Sequence, residues 1–114
     1  QENAKQLAFH HVLPEMNHNE IVGWTNSNPN MIPILIRKVN EDDNIKNRFE
    51  ALKNTAWKNV KVIEIFAKCD NHLSKILETI YIGDMISIEL AKLNRVDPTP
   101  VEVIENLKNE LGGK

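Results

Sequence analysis

The apolar positions of this chain fall into two kinds of pattern, helical stripes and short continuous runs. Ala4, Leu7, Ala8, His11 and Val12 recur at i, i+3, i+4, i+7 and i+8, which predicts an amphipathic helix over 2–13. Pro14 should end it, because proline lacks a backbone donor and disfavours helix in the residue before it. Residues 14–20 then read as a polar turn leading into a short helical turn through Ile21-Val22-Gly23-Trp24, and 25–31 as loop by composition. Ile32-Pro33-Ile34-Leu35-Ile36-Arg37 is nearly unbroken apolar sequence, which predicts a strand buried on both faces with Pro33 at its start. Asn40 or Asp42 is placed to cap a helix whose buried side carries Ile45, Phe49 and Leu52, and Val60–Phe66 reads as a second strand. Strand, helix and strand at this spacing make a βαβ unit with parallel strands and a right-handed crossover.

Further along, Asp70 or Asn71 can cap a helix bearing Leu73, Ile76, Leu77 and Ile80. Gly83-Asp84 is a place for it to bend or break before Ile86, Leu90 and Leu93 continue the stripe. Val96-Asp97-Pro98-Thr99-Pro100 is a turn with a helix start built in: Thr99 suits the N-cap, Pro100 the first helical position, and Glu102 the acid of a capping box. Val103, Ile104, Leu107 and Leu111 form the last stripe. The expected order is α–turn–β–α–β–α–α, an α/β domain without repeats or linkers. Two strands leave an apolar sheet edge to be covered, which points to a neighbouring domain or subunit.

Composition narrows the function classes. The 114 residues, 41% hydrophobic and 26% charged, suit one globular domain. No apolar run approaches the ~20 residues that span a bilayer. Cys69 is the single cysteine, so no internal disulfide can form and a reducing, cytoplasmic compartment is expected. With 16 acidic and 14 basic residues and 5% aromatics, the chain has no electropositive footprint or stacking platform for nucleic acid. It begins at Gln1 with no signal peptide or basic presequence, and the expectation is a segment cut from a longer protein, with part of any active site outside it.

The reactive residues, taken singly, each have a plainer reading. His18 and Glu20 could begin a site of two histidines and a carboxylate, but no second histidine stands at a diagnostic spacing, so no metal is expected. His10 carries no assigned role, while His11 and His72 read as helix-surface residues. Cys69 lies between a strand and a helix start, where a helix N-terminus lowers a thiol's pKa; packing is the simpler reading. Glu2 would sit in the first turn of its helix, where the dipole favours an ionised carboxylate able to act as a base; helix-end decoration is the simpler reading. Lys108 is either a contact to phosphate or hydroxyl, or a solvated lysine. With only four glycines and no glycine-rich loop, no phosphate cradle is evident.

Several motifs acquire a function together. Glu2-Asn3-Ala4-Lys5, the run from Pro14 to Trp24 (Pro-Glu-Met-Asn-His-Asn-Glu-Ile-Val-Gly-Trp), Gly83-Asp84-Met85-Ile86-Ser87, Val96-Asp97-Pro98-Thr99-Pro100-Val101 and Leu107-Lys108 occur in an order that resembles the C-terminal sugar-isomerase (SIS) domain of the bifunctional phosphoglucose/phosphomannose isomerases. The resemblance extends from Glu2 to about Leu111. It implies that residues 1–114 are the second of two SIS domains, each a three-layer α/β sandwich of flavodoxin-like type with a parallel sheet. It implies the interconversion of glucose 6-phosphate, and of mannose 6-phosphate as well, with fructose 6-phosphate, a step of glycolysis and gluconeogenesis needing no cofactor. In such a site Glu2 is the base, His18 opens the sugar ring from a neighbouring subunit of a homodimer, Lys108 assists ring opening, and Thr99 is the substrate-binding residue tied to tolerance of mannose. The partners implied are the phosphosugar, an N-terminal SIS domain of the same chain that carries the serine-rich phosphate loops, and a second copy. Asn94-Arg95 departs from the resemblance, standing where family members often have a glycine before Val-Asp-Pro. On these residues the isolated segment is expected to be inactive. Two other roles remain open at this point: a phosphosugar-binding module that regulates without catalysis, and a structural domain that supplies dimer contacts.

Overall fold

The computed structural model describes residues 1–26 and 30–112. The chain forms two units, His10–Thr79 and a second that joins residues 1–9 to the chain from Ile80 onward.

In the first unit, strand β1 (Ile34–Lys38) pairs in parallel with β2 (Ile63–Ala67), in register from Ile34↔Ile63 to Lys38↔Ala67. The pairing is the expected βαβ unit, joined by helix α2 (Asp43–Asn54). Pro33 stands just outside the ladder, where its missing donor costs nothing and its carbonyl accepts from Ile63 N at 3.0 Å. The cap of α2 is Asp42, not Asn40: its Oδ1 accepts from Asn44 N at 2.8 Å. The expectation of a strand buried on both faces is corrected. Leu35 and Arg37 are buried, whereas Ile34 and Ile36 remain 50% and 58% exposed, so one face is packed. That packed face joins Leu35 to Met16, Leu52 and Trp57, with Trp24 set edge-on to Trp57 at 5.6 Å. Met16 enters this core from a 3₁₀ turn, Glu15–Asn17, that follows the cis Leu13–Pro14 peptide. The short helical turn expected next is present as α1 (Glu20–Gly23), capped by Asn19 Oδ1 at 2.6 Å. The loop expected over 25–31 lies in part on 27–29, outside the described residues.

Helix α3 (His72–Asn94) begins on Asn71, whose Oδ1 accepts from Ser74 N at 2.8 Å, and its C-terminal part belongs to the second unit. Gly83-Asp84 neither breaks nor interrupts it. A single mid-helix glycine costs only about 1 kcal/mol, too little to stop a helix with good formers on both sides. The helix ends in a Schellman motif: Val96 N donates to Ala91 O and Arg95 N to Lys92 O, both at 3.0 Å. The left-handed position of this motif is Arg95, with φ +56°. A Cβ is unfavourable there, by roughly 1–2 kcal/mol. Glycine would relieve that strain but lose more entropy on folding, so Arg95→Gly is expected to raise stability by up to about 1 kcal/mol in urea unfolding. A loss of stability would show that the arginine side chain contributes contacts of its own.

Two helix expectations are corrected. Residues 2–5 form a turn and 6–12 are irregular, so the helix over 2–13 does not form. Lys5 takes φ +50°, which ends any right-handed helix after one turn. Leu7, Phe9 and Val12 are at least two-thirds exposed, so no packing of the apolar stripe offsets the cost of nucleating a short helix. The last helix, α4, runs over Glu102–Glu110, with Val101 at its N-cap and no side-chain cap. Thr99 is not the cap: it lies two residues before Val101, with its N–H held by Asp97 Oδ1 at 2.8 Å in an Asx turn.

Candidate functional site

Three of the motifs singled out in the sequence meet in the second unit. The Glu2–Lys5 turn is held by three polar contacts in succession. Asn3 Nδ2 donates to Ser87 Oγ at 2.9 Å, Asn94 Nδ2 donates to the Ala4 carbonyl at 3.0 Å, and Lys5 Nζ donates to the Pro100 carbonyl at 2.6 Å. Gln1 Nε2 reaches forward to the Ala8 carbonyl. Ala4 is buried, and Glu2, the residue with the carboxylate, is exposed. Glu2 therefore sits on a pinned turn and not at a helix N-terminus, which removes the dipole argument for its ionisation. Thr99 lies next to Pro100 in the segment that Lys5 grips, and Lys108 occupies the last turn of α4; both are exposed.

His18 belongs to the first unit. It closes the 3₁₀ turn through its own N–H, which donates to Glu15 O at 3.0 Å, and its side chain is exposed. Glu20 does not join it. One Glu20 oxygen accepts from Trp24 Nε1 at 3.2 Å, and the other lies 2.9 Å from His11 Nε2, so His11 lies against Glu20 from irregular chain and is not a helix-face residue. Among the described residues, no group of three or more histidines, cysteines and carboxylates is arranged to hold a metal ion. No helix among them is long and apolar enough to cross a membrane.

The surroundings of Cys69 run against the nucleophilic alternative and not against the simpler packing reading. The Glu78 carboxylate accepts from the backbone N–H groups of Lys68 and Cys69 at 2.7 and 3.0 Å. Those backbone donors hold Glu78 below the usual glutamate range. The same carboxylate accepts from the Cys69 thiol, and this, with partial burial, pushes the thiol up, away from a nucleophilic thiolate.

A polar cluster around Arg37 was not legible as such in the sequence. Arg37, 6% exposed, lies on the packed face of β1 in step with Leu35. Its Nε and Nη2 donate to Glu41, and Nη1 donates to Glu50 at 2.9 Å and Glu64 at 2.6 Å. Its guanidinium lies 4.8 and 5.0 Å from the ring centres of Phe49 and Phe66. Lys53 Nζ bridges Glu50 and Glu64 at 2.8 and 3.0 Å. The Glu41 bond leads the effects that hold Arg37 above its ordinary value, against the cost of burial. Burial raises Glu64, but the bonds from Arg37 and Lys53 outweigh it and leave the carboxyl below its usual range. Lys53 and Arg37 lower Glu50 as well. An open hollow of about 530 Å³ beside this cluster is lined by Arg37, Glu41, Lys46, Glu50, Glu64 and Phe66. Arg37 spends four hydrogen bonds on carboxylates, so the cluster joins β1, α2 and β2 and does not offer a bare cation to a phosphate. A second hollow of about 370 Å³ lies between Trp24 and the turn after α2, and neither hollow is lined by Glu2, His18, Thr99 or Lys108.

Comparison with known proteins bears on the pinned turn. A family profile described as the bacterial phospho-glucose isomerase C-terminal SIS domain matches residues 1–111. A bifunctional phosphoglucose/phosphomannose isomerase of Aquifex aeolicus is 33% identical over 114 aligned residues, covering 96% of this chain and 35% of the relative. One from Caldicellulosiruptor bescii is 35% identical with 96% and 34% covered, and one from Thermoplasma acidophilum is 29% identical with 96% and 35% covered. The chain thus spans about a third of the length of these relatives. No solved structure matches it.

Proposed function

This chain belongs to the bacterial phosphoglucose isomerase C-terminal SIS domain family, and on that premise we propose that it forms part of an aldose–ketose isomerase acting on glucose 6-phosphate and mannose 6-phosphate. The observation that carries the reading is the meeting of the Glu2–Lys5 turn with Ser87 and Pro100, which brings three of the motifs that mark the resemblance into contact and leaves the Glu2 carboxylate exposed on the turn. Residues 1–114 act in this reading as the C-terminal SIS domain of a longer chain. An N-terminal SIS domain supplies the phosphate loops, and the isolated segment does not turn over substrate.

The chemistry needs few groups. Glu2 removes the proton from C2 of the open-chain aldose, the C2–H electron pair becomes the C1–C2 double bond, and the carbonyl pair moves to O1, which takes the proton of the C2 hydroxyl to give a cis-enediolate with its charge on O2. The same carboxyl then returns a proton to C1 while the C2 oxygen becomes the ketone of fructose 6-phosphate. A base within reach of both carbons contributes roughly 10²–10⁴-fold, and hydrogen-bond donors on the two enediol oxygens stabilise the developing charge. Ring opening precedes this and requires proton transfer to the ring oxygen. His18, donated by a second copy of the chain, suits that step because imidazole exchanges protons near neutral pH. Lys108 assists it, and Thr99 contacts the sugar where glucose and mannose differ.

The test is turnover of the full-length chain in deuterium oxide. Fructose 6-phosphate formed from glucose 6-phosphate is expected to carry deuterium at C1, because a proton held on a carboxyl exchanges with solvent. Turnover without any label would replace the proton route by a hydride shift, and absence of turnover would overturn the assignment.

A further inference from the structure

We propose that Ser87 and Asn94 are positioning residues for catalysis, two grips on one face of α3 that fix the backbone of the turn carrying Glu2. The proposal rests on the role given to Glu2 above. Seven residues separate the two, two helical turns, so both side chains leave α3 on the same side. Ser87 is oriented for its task. Its single hydroxyl hydrogen is committed to the Asp84 carbonyl at 2.7 Å, so Oγ presents a lone pair to Asn3 Nδ2 at 2.9 Å. Asn94 holds the main chain itself, through the carbonyl of the buried Ala4. It is the last residue of α3, and the two Schellman bonds behind it fix the helix end from which it reaches.

Beside these grips, Lys5 Nζ on the Pro100 carbonyl and the buried Ala4 hold the turn, but its own backbone does little to fix its shape. It is not helical, Lys5 is left-handed, and its own bonds are long, Lys5 N to Glu2 O at 3.4 Å and Gln6 N to Gln1 O at 3.2 Å. A carboxylate that must reach C2 and then C1 tolerates little drift, and a misplacement of about 1 Å can cost 10²-fold in rate. Glu2 itself touches neither grip, so Ser87 and Asn94 act through the backbone and not on substrate.

The experiment compares Ser87→Ala, Ser87→Thr, Asn94→Ala and Glu2→Gln in the full-length chain, reading kcat and KM separately together with hydrogen exchange at the amides of Lys5 and Gln6. Ser87→Ala and Asn94→Ala are expected to lower kcat by about tenfold or more with KM within about twofold, and to speed exchange at both amides. Ser87→Thr, which keeps the hydroxyl, is expected to restore both readouts. Wild-type kcat in both alanine variants, beside a Glu2→Gln variant that is nearly inactive, overturns the positioning role and leaves the base in place. A Ser87→Thr variant as slow as Ser87→Ala overturns it too, because the loss would then follow packing. Near-normal turnover in Glu2→Gln removes the base and the purpose of the grips with it.

Discussion

Replacing Glu2 by glutamine in the full-length chain is expected to lower kcat by about 10²–10⁴-fold, with KM for fructose 6-phosphate changed by less than about threefold. Glutamine keeps the length and shape of the side chain and its hydrogen-bonding oxygen, but it cannot accept a proton from carbon at a useful rate. The turn around it should be undisturbed, because its contacts run through Asn3, Ala4 and Lys5 and not through the Glu2 side chain. The loss therefore belongs to the chemical step. Steady-state kinetics in both directions provides the measurement. Equal proportional losses forward and reverse are required, since one carboxyl serves both carbons. A variant retaining more than about a tenth of the wild-type kcat would take Glu2 out of the proton transfer.

Arg37→Met is expected to destabilise the chain by about 3–5 kcal/mol, read as a lower midpoint in urea, because it strips the partner from buried and half-buried carboxylates. Glu41 is the critical one, with its side chain 6% exposed beside a guanidinium that is 4% exposed. Methionine fills most of the volume, so the loss measures unpaired charge and not a cavity. Pairing Arg37→Met with Glu41→Met is expected to recover most of it, since apolar replacement of a whole buried pair is often neutral. If the double variant is no better than the single one, packing and not charge governs the site.

The acid limb follows from the same cluster. Glu50 and Glu64 sit below their ordinary value of 4.5 in the folded chain. Their contribution to stability is thus complete above that value and disappears as pH falls through the lower folded-state values. Lys53 is raised above its ordinary 10.5, chiefly by Glu50, so its contribution is complete below 10.5 and disappears as pH rises through the folded-state value. Both side-chain carboxyls are partly open to solvent, which keeps these effects small. In Arg37→Met the acid limb should be shallower than in the wild type.

The parts of the fold set by local physics were legible in the residues. The two strands, α2 with a cap at Asn40 or Asp42, α1 and the span of α3 were marked by a period or by a stop or start signal, and such signals act over a few residues. The candidate site was legible as motifs. Glu2, His18, Thr99 and Lys108 were assigned from a resemblance, and the contacts around Glu2 were not foreseeable from spacing, since Asn3 and Ser87 are 84 positions apart. Arg37 was missed because an arginine after an apolar run reads as the polar end of a strand. Only the alternation with Leu35 marked it as an inward position.

By itself, the sequence determined which segments could become helix or strand, that the strands pair in parallel, and which isomerase family the chain resembles, because periodicity, capping chemistry and motif order are all local properties. Tertiary structure alone decided that the N-terminal stripe stays unwound, that Cys69 is restrained by Glu78, and that Asn3, Ser87 and Asn94 converge on the Glu2 turn. Each of these depends on which distant partner captures a backbone or side-chain polar group. That competition is settled only when the chain is folded, because an amide taken by one partner is no longer free for another.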